Sequence, residues 1–242
     1  MRGVRLAAST PAVGQRNPWV GRLEPMASGE QFLPSRHALG FTNSWPRQPA
    51  VHVPTPWGRL ALGNAGNGLC GGMVFAAADY FHAGRAAPVE RPEAHEALYR
   101  FVVRRIVDSW HPPGGVARYY AGMLRADSDL LARTRHREWP RITAALDRGV
   151  PVPLGLVTVS SANPKLLRHN HQVLAYAHEQ EESRWRLWVY DPNRGPRDDI
   201  AVTLEADASA GFTHNLGISR TLRGLFRVSY TPTRPPDSVP LT

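Results

Sequence analysis

Apolar positions follow no steady period over the first 60 residues, then a helical one, then an alternating one. Residues 1 to 59 are rich in Pro, Gly, Asn and isolated aromatics. They read as a loop-rich arm laid over the domain, with the first 25 residues mobile. Within it, Gly40-Phe41-Thr42-Asn43-Ser44-Trp45-Pro46 reads as a surface wall or a packing strap. A Gly/Asn-rich loop, 64–72, runs into Met73–Phe81, an apolar helix ended by Gly84. A longer helix is predicted over Arg91–Trp110, with Pro92 in its first turn and Pro112-Pro113-Gly114-Gly115 as its stop. Shorter helices follow at Val116–Leu124, Asp129–Arg135 and Arg137–Arg148, the last closed by Gly149.

The texture then changes to strands, at Val150–Ser160, His171–His178, Arg184–Asp191, Ile200–Leu204 and Leu225–Tyr230. Helices first and an antiparallel sheet second define the α+β class. The expected organisation is an arm over 1–59, the main domain over 60–231 and a Pro-rich tail over 232–242 that is extended or disordered.

Composition narrows the function classes. One cysteine among 242 residues excludes an intramolecular disulfide framework and a zinc site built on several thiolates. Apolar runs are too short to span a bilayer and no apolar h-region follows Arg2 and Arg5, so the expectation is a cytoplasmic protein without membrane association. The net charge of +9 points toward nucleic acid, but the basic residues are scattered and all but Lys165 are arginine. That pattern fits an Arg-rich composition better than a phosphate-binding run, and a nucleic-acid partner is not expected.

The single cysteine is more informative. Cys70 lies where the glycine-rich loop meets the apolar helix, and a thiol there faces the positive end of the helix dipole. Gly71 and Gly72 weaken a helix start and make sense if a substrate backbone approaches the sulfur closely. The plain alternative is a small buried hydrophobe. Two later strands, His171–His178 and Arg184–Asp191, flank a polar connection. Pairing 178 with 184 sets 171 opposite 191, so that Asp191 can hold the His171 ring. A second arrangement joins His169 and His171, two apart on a strand, with Cys70 in an open metal site. It leaves Asp191 and the glycines without a role, and no metal or other cofactor is expected. Trp185 and Trp188 read as sheet packing rather than a base-stacking platform.

The order Cys70, His171, Asp191 resembles that of the papain-like cysteine peptidase superfamily, in particular the short bacterial branch related to the double-glycine leader peptidases. Four places carry the likeness, over roughly residues 60–230. They are the loop-to-helix Cys70 with Asn64 six positions before it, the passage Ala145–Val152, the segment Asn170-His171-Gln172-Val173-Leu174, and Val189-Tyr190-Asp191-Pro192-Asn193. The resemblance implies a helical half with the nucleophile at a helix start and a sheet half carrying His and Asp. It also implies Cys70 as nucleophile, His171 as base, Asp191 as orienting acid, and the Asn64 amide with the Cys70 N–H as the oxyanion hole. A peptide or amide substrate and a thioester intermediate follow, with acyl or peptidyl transfer, or a non-catalytic binding domain, as alternatives. This sequence departs from the pattern in having asparagine where glutamine is usual, with Asn67 a rival for that role. It departs again in having Gly71 where papain carries a bulky aromatic. Transglutaminase-like and arylamine acyltransferase enzymes share the chemistry but fit the spacing less well.

Overall fold

The computed structural model describes residues 30–45, 51–55, 58–62, 69–93, 96–110, 114–205 and 211–237. Element order is α1 Pro34–His37, β1 Val51–Thr55, β2 Gly58–Leu62, α2 Cys70–His82, α3 Ala97–Trp110, α4 Gly114–Met123, α5 Asp127–Arg133 and α6 Trp139–Leu146. Then come β3 Val152–Val157, β4 His171–Gln180, β5 Arg184–Tyr190, β6 Ala201–Glu205, β7 Phe212–His214 and β8 Gly224–Arg227. The chain is α+β, with helices leading and an antiparallel six-stranded sheet, ordered β7-β6-β5-β4-β3-β8, following. No described helix is long and apolar enough to cross a membrane.

Alternation along each strand gives the sheet two apolar faces. On one, Leu154, Leu156, Val173, Val189 and Val202 pack under Trp139, Ile142 and Leu146 of α6. On the other, Val157, Leu174, Tyr190 and Phe226 pack against Val74, Phe75, Ala78 and Phe81 of α2. Trp185 lies with the first face and Trp188 with the second, the packing role read from the sequence. Gly149 closes the α6 region at φ +73°, donating its N–H to Leu146 O at 2.8 Å, as its place after the last helical turn predicts.

Apolar along nearly its whole length, α2 is buried from Gly71 to Phe81. Against its other side lies α3, and Gly72 makes that approach possible. A Cβ at Gly72 would come within 2.1 Å of Val102 O, in the α3 backbone. The two glycines therefore serve packing, not substrate approach: a Cβ at Gly71 would meet Ser109 Oγ at 2.4 Å and Gln172 Oε1 at 2.7 Å. Gly72→Ala gains about 1 kcal/mol of helix propensity. It must also push α3 away, a distortion that costs roughly 1–3 kcal/mol or more because the obstacle is backbone. Net destabilisation is expected in a urea melt; a stabilised variant would contradict this packing.

The arm and the tail are both more structured than the sequence suggests. Residues 30–45 include α1 and contribute Phe32, Leu39, Phe41 and Trp45 to the core, so this stretch is a packing strap. A two-stranded hairpin, β1–β2, crosses the boundary expected at residue 59. The first 25 residues, read as mobile, lie outside the described residues. Of the tail, 232–237 runs along α2 and is pinned there. Asp79, buried in α2, accepts from Arg105 Nε at 2.7 Å, Tyr230 Oη at 2.8 Å and Thr233 N at 2.8 Å. Tyr80 Oη donates to Pro236 O, and Arg85 reaches Pro235 O and Asp237. Burial pushes Asp79 up to about 6 against the pull of Arg105, Thr233 and Tyr230. Tyr230→Phe keeps the ring against Phe75 and removes one donor to this carboxylate. A loss of about 1.5 kcal/mol and faster proteolysis of the tail are expected; an unchanged melt would show the hydroxyl to be idle.

Candidate active site

Three distant elements bring the sequence-singled residues together. Cys70 opens α2, preceded by Leu69, and its side chain is half-buried. His171 opens β4 and is buried, and Asp191 follows the last residue of β5 and is fully buried. The His171 Nε2–H donates to Asp191 Oδ1 at 2.8 Å. The ring also interacts with the Cys70 side chain. With Nε2 committed to the carboxylate, Nδ1 is the nitrogen left for the sulfur.

The register that achieves this differs from the one the sequence suggested. Residue 178 pairs with Leu187, not with 184, and the tight connection is Glu181–Ser183. From Gln180↔Trp185 to Ala177↔Trp188 the strands run in one register, and a bulge between Ala175 and Ala177 then shifts it to Ala175↔Val189 and Leu174↔Tyr190. Continued one step, Asp191 comes opposite Val173, on the side that His171 also faces, one pleat away. Without the bulge it would fall opposite Leu174, on the other face. The extra residue in β4 thus puts acid and imidazole on one side, as diagonal rather than direct partners.

Asp191 is held on both oxygens. Oδ1 also accepts from Asn193 N at 2.9 Å, and Oδ2 accepts from Gly217 N at 2.7 Å. Burial raises the Asp191 pKa, but the His171 charge and hydrogen bond, with the Gly217 and Asn193 N–H groups, outweigh it and hold the carboxyl below its ordinary 3.8. For His171, burial opposes the imidazolium, yet Cys70 and then Asp191 raise the ring from 6.5 to about 10. The pair is thus arranged to keep a positive ring between an acid and a sulfur.

Further residues frame the centre. Tyr119 Oη donates to His171 O at 3.2 Å and is close enough to feel the Cys70 charge. Gln172 Nε2 donates to Ser109 Oγ at 3.2 Å, which in turn donates to Ile106 O, so the end of α3 is tied to the strand of His171. This also accounts for Gly71: the space a side chain there would need is filled by Ser109 and Gln172. Tyr119 and Ser109 carry no local motif in the sequence, and Gln172 only the adjacency to His171. Asn64 and Asn67, the two candidates for the oxyanion amide, lie outside the described residues.

His169 ends a 3-10 turn, Pro164–His169, rather than lying on β4, so the strand argument that paired it with His171 does not apply. Its ring meets Arg168 and Arg220 instead, and no group of three or more His, Cys, Asp or Glu able to hold a metal occurs among the described residues. His178 contacts Asp147 Oδ1 at 2.8 Å. No family model, curated protein or solved structure matches this chain.

Proposed function

We propose that this chain is a thiol-dependent hydrolase of the cysteine peptidase or amidase type, with a papain-like arrangement of its two halves. The observation that supports this best is the convergence of Cys70, His171 and Asp191 from three elements, with the acid on Nε2 of His171 and the ring interacting with the Cys70 side chain. A buried histidine needs a partner, but a structural one has no need of a cysteine at a helix start.

In this reading His171 takes the thiol proton and Asp191 holds the imidazolium in place. The sulfur attacks a substrate carbonyl, and the resulting oxyanion is received by the Cys70 N–H with an amide from Asn64 or Asn67. The C–N bond breaks as His171 returns the proton to the leaving amine, leaving a thioester on Cys70. Water then cleaves the thioester, with His171 removing its proton. Transfer to an amine instead of water follows the same steps, and a non-catalytic binding domain lacks them. The test is exposure of the full chain to a library of peptidyl acyloxymethyl ketones, electrophiles that alkylate an activated thiol after docking as substrates do. Labelling confined to Cys70 in the folded protein, and abolished by His171→Ala, is expected. Labelling no faster than that of the denatured chain would overturn the assignment.

A further inference from the structure

The centre is enclosed by hydrogen bonds that reach into a segment the triad does not include. Leu69, immediately before Cys70, donates its N–H to Asn43 Oδ1 at 2.8 Å. Asn43 Nδ2 donates to Asn193 Oδ1 at 2.9 Å, and Asn193 N donates to Asp191 Oδ1 at 2.9 Å. Asp191 holds His171, and His171 contacts Cys70. The result is a closed circuit: Leu69, Asn43, Asn193, Asp191, His171, Cys70. Asn43 is also fixed from its own backbone, with its N–H donating to Pro192 O at 2.8 Å, and by Trp45 Nε1, which donates to its Oδ1 at 2.9 Å. Asn193 is braced in turn through Nδ2 to Gly217 O at 3.1 Å, beside the Gly217 N–H that Asp191 accepts.

We infer that Asn43 is a positioning residue of the site, setting how the cysteine-bearing helix start sits against the turn that carries the acid. The inference rests on Cys70 and His171 acting as nucleophile and base. Its physical ground is the pattern of links. One planar side chain accepts from the residue before the nucleophile and donates to the turn that orients the base, across 26 and 150 residues of sequence. The amide does both at once, because its oxygen accepts while its nitrogen donates. The folded body of α2 has separate anchors at Gly72 and Asp79, so Asn43 acts on the start of the helix rather than on its presence. The strap over 30–45 is then part of the site.

The experiment is a double-mutant cycle on the full chain with Asn43→Ala, Asn193→Ala and the pair together. Its readouts are the iodoacetamide rate at Cys70 as a function of pH and the titration of the His171 ring by NMR. Each single change is expected to slow alkylation near pH 6 about tenfold and to lower the His171 midpoint. The pair is expected to do little more than either, because both cut one circuit. Asn43→Asp keeps the oxygen for Leu69 and Trp45 but faces Asn193 with an acceptor. It should resemble Asn193→Ala, and it replaces Asn43→Ala in the cycle if that variant loses its near-ultraviolet circular dichroism. Unchanged rates and midpoint, or single effects that multiply in the pair, would overturn the inference. His171→Ala is the control. If it alkylates as fast as the unmodified chain, the nucleophile–base reading fails, and Asn43 is then judged on the His171 titration alone.

Discussion

His171→Ala is expected to remove hydrolysis of any substrate of this site by about 10²–10⁴-fold, the range for loss of a positioned proton-transfer group. The effect should fall on kcat more than on KM, because the ring acts on the thiol and leaving amine, not on substrate binding. Two roles end together in this variant: acceptance of the thiol proton, and the positive charge beside the sulfur. Stability should change with pH in a particular way. Since the folded ring titrates above its ordinary 6.5, its stabilising contribution is fully present below about pH 6.5 and declines as pH rises toward about 10. The destabilisation caused by His171→Ala should therefore be greatest in mildly acidic buffer and shrink in alkaline buffer. A Tm difference that is flat across this range, with activity retained, would show His171 to be an ordinary buried histidine.

Asp191→Ala is the second large effect. Its carboxylate accepts three hydrogen bonds, from His171 Nε2, Asn193 N and Gly217 N, while fully buried. Removing it leaves a buried imidazole and two backbone N–H groups without their acceptor, and breaking a buried pair in this way costs about 3–5 kcal/mol. Asp191→Asn is milder, at about 1–3 kcal/mol, because one amide oxygen can serve His171 and Asn193 while its NH₂ must face the Gly217 donor. The folded carboxyl titrates below its ordinary value, so its contribution is present above about pH 4 and is lost as pH falls through the depressed folded value. Together the two signs place the pair's full contribution between about pH 4 and pH 6.5. Chemical denaturation of the variants across that window measures it; equal stability of Asp191→Ala and the unmodified chain would show that the carboxylate is not holding the ring.

Much of this arrangement is legible in the sequence because it depends on local pattern. The apolar run after Cys70, the Gly149 stop and the alternation of β3 to β6 are each set by neighbours within a few residues, and each lies where the pattern puts it. The proximity of His171 and Asp191 is legible for an incomplete reason. The register 178 with 184 is three residues off, since 178 pairs with 187, and the bulge near Tyr176 cuts the offset to two, restoring the parity that a regular hairpin from Glu181–Ser183 would lose. A bulge has no signature in Ala175-Tyr176-Ala177. Gly71 and Gly72 carry a visible signal whose cause is not visible, since Val102, Ser109 and Gln172 are close only in the folded chain. Asn43 is the extreme case. Its partners at 69 and 193 lie far along the sequence, and no spacing rule connects an asparagine in a turn-rich segment to a site built around a helix start.

The central claim is that His171 activates Cys70, and the alkylation rate of the lone thiol measures it most directly. Near pH 6 an ordinary cysteine is only about 0.3% thiolate, so iodoacetamide reacts slowly with a bystander. The folded chain is predicted to react at Cys70 far faster than the urea-denatured chain at that pH, and His171→Ala is predicted to abolish the difference. A folded-state rate no greater than the denatured one, or a fast rate untouched by His171→Ala, would contradict the account.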